Sequence, residues 1–122
     1  MKYLLLLLVL ISFSGCYQVE RNCNLYKNGS FYSEIVIDGI TYTSRFKRTD
    51  NLQVEVFEDK IDSSNVRWIN DCEMIFKTIN PKNRIEKKDV HLKILTTTDS
   101  SYTFEYSYVG ESKKQKGIAY TN

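Results

Sequence analysis

The sequence is poor in the residues that define several classes of protein. Its 122 residues contain one proline and five glycines, which excludes collagen-like and proline-rich low-complexity chains. The formal net charge is only +2, too small to indicate a nucleic-acid partner. The single apolar run, residues 4–11, is far shorter than the roughly 20 residues that cross a bilayer as a helix. The chain has the length of one small domain.

The N-terminal segment has the pattern of a bacterial lipoprotein signal. Lys2 precedes the apolar run, and Ser14-Gly15-Cys16 follows it. Small residues before a cysteine are typical of a lipobox, in which the thiol is acylated and the chain is cut just before it. The alternative is an ordinary signal peptide with a chance cysteine. We expect three parts: a signal peptide at 1–15, a lipidated Cys16 with a tether at 16–22, and a single β domain at 23–122.

Cleavage at this point also predicts a location. The mature chain would have 107 residues, with 16 basic and 15 acidic side chains, so no general attraction to nucleic acid is expected. Tyr17 follows the lipidated cysteine in place of the aspartate that retains lipoproteins in the inner membrane, which favours the outer membrane. The tether lacks the acidic run of surface-exported lipoproteins, so we expect a periplasm-facing protein. The acyl chains would bind the membrane.

Two cysteines remain once Cys16 carries lipid. Cys23 and Cys72 form an even pair in an oxidising compartment, which indicates a disulfide. The alternatives are two free thiols or a metal site. The metal site is the weaker of these, because two isolated cysteines and one histidine do not make a ligand set and no Cys-x-x-Cys pair exists. We therefore expect a disulfide and no metal or other cofactor.

The rest of the chain alternates with the period of two that is typical of β-strands. Leu52, Val54 and Val56, for example, alternate with polar Gln53 and Glu55. Nine tyrosines, six phenylalanines and one tryptophan add the aromatic content that strands favour. The pattern predicts strands at 31–37, 40–47, 52–57, 64–69, 72–77, 90–95, 102–109 and 115–121.

Turn residues separate these strands. Asp38-Gly39 predicts a two-residue type I′ hairpin, because glycine tolerates the positive φ that this turn requires. Further turn clusters lie at 49–51, 62–65, 70–71, 99–101 and 110–112, and the longest connection is 80–89. We predict an all-β fold, a small antiparallel meander of about eight strands closed as a lipocalin-like barrel or half-barrel. The alternative is a two-sheet β-sandwich.

Three segments of the sequence, taken together with the lipobox, resemble those of a protein family. They are Cys23-Asn24-x-x-Lys27-Asn28-Gly29-Ser30-Phe31, Arg67-Trp68-Ile69-Asn70-Asp71-Cys72-Glu73 and Tyr102-Thr103-Phe104-Glu105-Tyr106. The chain resembles a family of short Bacteroidetes lipoproteins of the flavobacterial type. Some members carry the label DNA topoisomerase IV, which does not suit an exported chain with balanced charge and no phosphate-binding loop. The resemblance implies a source and a compartment, and no catalytic residues.

Residues that could carry catalysis are few. His91 is the only histidine. It lies between the apolar residues Val90 and Leu92, so it would face the polar side of a strand, and no motif of a catalytic nucleophile accompanies it. Glu58 and Asp59 are adjacent, and adjacent strand residues point to opposite faces, so they would not converge on one bond. We therefore expect no enzymatic activity.

Aromatic residues suggest a binding role instead. Trp68 is either a core residue or, with Arg67, part of the mouth of a ligand site. The row Tyr102, Phe104, Tyr106 and Tyr108 either fills the core or faces a ligand, since buried tyrosine hydroxyls need partners. The expected function is a carrier of a small apolar or amphipathic ligand. The alternative is a non-catalytic accessory module that docks on an envelope protein.

Overall fold

Eight strands form one closed antiparallel barrel. The computed structural model describes residues 21–122, so Cys16 and the expected signal peptide lie outside the described residues. Each strand pairs with its neighbours in chain order, and the last pairs with the first, which confirms the predicted barrel rather than a sandwich. A one-turn 3-10 helix at Cys23–Tyr26 precedes β1 (Gly29–Ile37), β2 (Ile40–Thr49), β3 (Leu52–Phe57), β4 (Lys60–Asn70), β5 (Glu73–Thr78), β6 (Val90–Thr97), β7 (Ser101–Tyr108) and β8 (Gln115–Thr121).

Two tight hairpins share the same turn geometry. Asp38 and Gly39 have φ values of 52° and 79°, as the predicted type I′ turn requires. Glu58 and Asp59 also have positive φ, 46° and 65°, and join β3 to β4. They are therefore turn residues, and the expectation that they are neighbours within a strand was wrong. Because the chain reverses there, the predicted turn at 62–65 lies inside β4, paired with β3.

The meander gives the barrel two different ends. The turns at 38–39 and 58–59 lie at one end together with the connections 79–89 and 109–114, and we call this the open end. The 3-10 helix covers the opposite end, which we call the closed end. The Tyr26 side chain is buried there, and its hydroxyl shares its hydrogen between the carbonyl oxygens of Thr98 and Ser101.

A disulfide fixes the 3-10 helix at the closed end. Cys23 and Cys72 are bonded, with 5.3 Å between their Cα atoms, which confirms the predicted pair. Cys72 lies in the turn between β4 and β5. The bond therefore links the covering helix directly to the rim of the barrel.

The solid core occupies the closed half of the barrel. Along β7 the exposed fraction rises from 1% at Tyr102 and 4% at Phe104 to 36% at Tyr108, which lies at the open end. The exposed fraction also rises from 0% at Met74 to 9% at Phe76 on β5, and from 0% at Ile94 to 8% at Leu92 on β6. The aromatic row therefore packs into the core at one end and reaches solvent at the other. The core consists of Cys23, Tyr26, Phe31, Phe46, Val66, Met74, Phe76, Leu92, Ile94, Tyr102, Phe104 and Ala119.

Candidate ligand cavity

A cavity of about 250 Å³ lies inside the barrel, above the solid core and toward the open end. Two further hollows share lining residues with it. One, of about 280 Å³, reaches the open end beside Ile37, Tyr42 and Phe57. The other, of about 330 Å³, lies beneath the 79–89 connection. The wall of the central cavity has a polar side on β1 to β5, formed by Ser33, Ser44, Gln53, Glu55, Ser64 and Thr78, and an apolar side on β5 to β7, formed by Phe76, Val90, Leu92, Phe104 and Tyr106. Two apolar residues, Ile35 and Phe46, lie among the polar strands.

Strand β3 supplies much of the polar side. Gln53 and Glu55 face the cavity, whereas Leu52 and Val56, which alternate with them, are exposed on the outer wall. Hydrophobic alternation alone would place these two sets the other way round. The reason is the residue that pairs with Gln53 on the neighbouring strand β2. Gln53 pairs with Arg48, and its side-chain oxygen accepts a hydrogen bond of 3.0 Å from the Arg48 Nε.

Arg48 forms the floor of the cavity. Only 1% of it is exposed, its Nη1 donates to the Tyr26 carbonyl at 2.7 Å, and its Nη2 donates to the Tyr102 hydroxyl at 3.1 Å. Aromatic rings surround the guanidinium, the nearest being Phe46 at 5.2 Å. Such rings attract a cation through their negative faces.

No sequence motif pointed to Arg48. One signal was available: the residue continues the alternating face of β2 by one further step after Ser44 and Phe46, which both line the cavity. An arginine on that face near the end of a strand is readily taken for a solvent-exposed residue, because arginine is almost never fully buried unless it is paired. Only the closed end of the barrel buries it.

Glu55 is the acidic group of the cavity wall. Burial raises the pKa of its carboxyl, a hydrogen bond from Ser44 lowers it, and the nearby Asp62 carboxylate raises it. Tyr106, across the cavity, also has a raised pKa, chiefly through burial, with smaller contributions from Tyr108 and Glu55. The Ser44 hydroxyl is also hydrogen-bonded to that of Ser33 at 2.8 Å. The middle of the cavity is thus polar and holds its carboxyl closer to the neutral form than a surface carboxyl.

The residues proposed for ligand binding divide between several places. Tyr102, Phe104 and Tyr106 line the cavity, and Tyr108 lies in the hollows at the open end. Trp68 packs against the core of the closed half and not at the mouth, and its buried Nε1–H has no hydrogen-bond partner among residues 21–122. Arg67 is exposed on the outer wall, because adjacent strand residues face opposite sides, so it does not join the cavity.

The 79–89 connection crosses the open end and is held by ion pairs on both sides. The Glu86 carboxylate lies 2.8 Å from Lys60 Nζ on the β3–β4 hairpin, and Lys88 Nζ lies 3.4 Å from Glu111. The hydrogen bond from Lys60, followed by one from the Lys82 amide, lowers the pKa of Glu86. Entry to the cavity therefore passes beside a segment held by surface charges.

No arrangement typical of catalysis is found in the described part of the chain. His91 lies on the outer wall, where its Nε2 is 3.0 Å from Glu73. A hydrogen bond from Asn70 is the main cause of the lowered pKa of Glu73, and the contacts with His91 lower it further. Within residues 21–122, no three His, Cys, Asp or Glu side chains come together as metal ligands, and no helix is long and apolar enough to span a membrane.

Comparison with known proteins adds no relative. No protein-family model, no curated protein and no solved structure matches the chain. The fold and cavity define the class by themselves: a closed eight-stranded up-and-down barrel, lipocalin-like in outline, with an internal cavity open at one end.

Proposed function

We propose that the barrel binds a small amphipathic ligand in this cavity. The observation that carries the proposal is the division of the cavity wall into a polar and an apolar side. Ligand sites are concave and mostly apolar, with a few polar groups that orient the ligand. A volume of about 250 Å³ is at the small end of the range for such sites, so the ligand is small.

We further propose that this carrier is a lipoprotein of the outer membrane, anchored through Cys16 and facing the periplasm. The end of the tether supports an orientation for it. Arg21 donates to the Ile94 carbonyl at 2.9 Å, and the Asn22 amide donates to the Thr97 hydroxyl at 2.8 Å, both in the closed half. The five residue-to-residue steps from Cys16 to Arg21 span at most about 18 Å. The closed end would face the membrane, and the mouth would face away from it.

Native mass spectrometry of the full chain, released with detergent from its own envelope, tests the proposal. We expect a ligand of low mass that is lost when the protein is denatured. A matched pair of variants checks its position. Ser64→Phe fills the cavity, whereas Ser63→Phe places the same ring on the outer wall of the same strand. A ligand retained equally by both variants, or none in the wild type under any condition, would contradict a cavity carrier.

An accessory role on an envelope protein is the second candidate, and the outer wall provides an observation for it. Val56 and Ile61 pair across β3 and β4 and are both exposed, with Leu52 exposed on the same face. Exposed apolar patches are a feature of protein interaction sites. A Val56→Lys, Ile61→Lys double variant should then lose a partner that crosslinks to the wild type, while retaining any ligand in the cavity. Loss of the ligand without loss of the partner would argue against this role.

A further inference from the structure

The floor of the cavity carries a positive charge that no acid among residues 21–122 neutralises. In the described range 21–122, no carboxylate oxygen lies within 4.0 Å of the Arg48 guanidinium. Its partners are the neutral oxygens of Gln53, Tyr26 and Tyr102. A buried charge is costly unless it is paired, so the site favours an anion.

Glu55 does not fill this role. The strand register pairs Arg48 with Gln53, and Glu55 lies two residues further along β3, opposite Phe46. Two residues of a strand span about 7 Å, which places Glu55 toward the mouth. The polar group that lowers the pKa of its carboxyl is the Ser44 hydroxyl, not Arg48. Within the part of the chain that the structure describes, the cation at the floor therefore has no acid at contact distance.

The guanidinium also has donors to spare. Arginine has five N–H groups, and Arg48 uses three of them, one each on Nε, Nη1 and Nη2. One N–H therefore remains on each terminal nitrogen. A carboxylate has two acceptor oxygens and forms short, charge-assisted hydrogen bonds with such donors.

Polarity along the barrel axis sets the direction of a bound molecule. Arg48 and Gln53 lie at the floor, and the hydroxyls of Ser33 and Ser44 lie above them. The hollow at the mouth has apolar walls at Ile37, Tyr42 and Phe57, with the rings of Tyr42 and Phe57 6.2 Å apart, and polar walls at Thr43, Ser44 and Glu55. Because the core fills the closed half beyond Arg48, a molecule whose head reaches Arg48 extends its tail toward the mouth, where Tyr42 and Phe57 offer apolar contacts.

We propose that the ligand is a small amphipathic organic acid, bound with its carboxylate on Arg48 and its tail toward Tyr42 and Phe57. This inference rests on the proposed carrier function and names its ligand class. The cavity of about 250 Å³ and the adjoining mouth hollow accommodate a short tail rather than a long acyl chain.

Three probes with one tail and different heads test the inference: octanoate, octanol and octylammonium. Each is titrated calorimetrically into the full-length wild-type chain in the same detergent-containing buffer. We expect octanoate to bind at least about tenfold more tightly than octanol, because its carboxylate forms charge-assisted hydrogen bonds with buried Arg48. We expect octylammonium to bind most weakly.

Two variants test whether Arg48 is the source of the preference for octanoate over octanol. Arg48→Gln should bind octanoate and octanol with affinities within about twofold of each other. Arg67→Gln removes the same charge from the outer wall and should leave the tenfold preference intact. If Arg48→Gln does not fold, the head-group preference of the wild type, together with the Arg67→Gln control, still decides the question.

The outcomes separate this inference from the function on which it rests. Binding of octanoate that is at least tenfold tighter, and that is lost in a folded Arg48→Gln, supports the anion site. Equal binding of octanol, or a preference for octylammonium, overturns the anion site and leaves the carrier function standing. Binding of none of the probes, with no ligand co-purifying from the envelope, overturns both.

Discussion

Loss of the Cys23–Cys72 disulfide should weaken the fold substantially. The bond links the 3-10 helix to the β4–β5 turn, across 49 positions of sequence. The same helix provides Tyr26, whose carbonyl accepts a hydrogen bond from Arg48. A Cys23→Ala, Cys72→Ala double variant therefore frees the cover of the closed end and removes a long covalent constraint from the unfolded chain.

The magnitude follows from the length of that constraint. In the chain-entropy relation, a loop of 49 residues corresponds to about 4 kcal/mol at 25 °C, within the upper part of the range measured for native disulfides. For a domain of this size, with a urea dependence near 2 kcal/mol per molar, the unfolding midpoint should fall by about 2 M. The cavity above the core should keep its wall, because all eight strands remain paired.

Urea unfolding, followed by Trp68 fluorescence and by far-ultraviolet circular dichroism, measures this change. The control is the wild type before and after reduction, with thiol titration to prove that both cysteines are free. Reduced wild type and the double variant should share one midpoint, well below that of the oxidised protein. If the midpoint moves by less than about 0.5 M with both thiols demonstrably free, the constraint of the helix on the fold has been overestimated.

Three further changes have defined outcomes. Gly117→Ala would place a Cβ 2.7 Å from the Phe104 ring and 2.9 Å from Ile35 Cγ1, so thermal unfolding should show a loss of about 1–3 kcal/mol. Tyr26→Phe removes the hydroxyl that bonds to the Thr98 and Ser101 carbonyls and should cost about 1–2 kcal/mol in urea unfolding. Glu55→Gln should change the pH dependence of stability. Because the pKa of Glu55 is raised in the native protein, the folded wild type keeps a proton that the unfolded chain releases. Wild-type stability should therefore fall as the pH rises from the ordinary glutamate pKa through the raised one. The variant should lack this pH dependence.

Controls for the first two changes lie on the outer wall of the barrel. Lys116→Ala, which points outward beside Gly117, should stay within about 0.5 kcal/mol of the wild type. Tyr32→Phe keeps its stacking with Tyr120, at 5.0 Å on the outer wall, and should be similarly mild. Equal losses in a variant and its control would remove the packing or hydrogen-bond explanation. A pH slope unchanged in Glu55→Gln would show that this carboxyl does not titrate abnormally.

Local features of the sequence were enough to predict most of the architecture. Asp38-Gly39 predicts its hairpin because positive φ is a property of the residues themselves. Alternation locates the strands because side chains of one strand project to opposite faces wherever the strand lies. The disulfide could be predicted because Cys23 and Cys72 were the only pair left once Cys16 was assigned to lipid. The hairpin at Glu58-Asp59 was missed, since neither residue is the glycine that marks such a turn.

The candidate site could be predicted only in part. Tyr102, Phe104 and Tyr106 were singled out and do line the cavity, but Arg67 lies outside it and Trp68 lies in the closed-end core. Arg48 was missed altogether. Its burial depends on partners from the 3-10 helix, β3 and β7, which are 22, 5 and 54 positions away in sequence.

The sequence by itself thus determined the class of fold, the strands and the disulfide, because periodicity, turn chemistry and cysteine count act over a few residues or by simple counting. Only the tertiary structure decided which face of each strand points inward and which end of the barrel is filled. The β2–β3 hairpin places Gln53 beside Arg48, but the pair faces inward because Tyr26 of the 3-10 helix and Tyr102 of β7, 22 and 54 positions from Arg48, hold the guanidinium in the barrel. These are contacts between distant segments, and no local pattern records them.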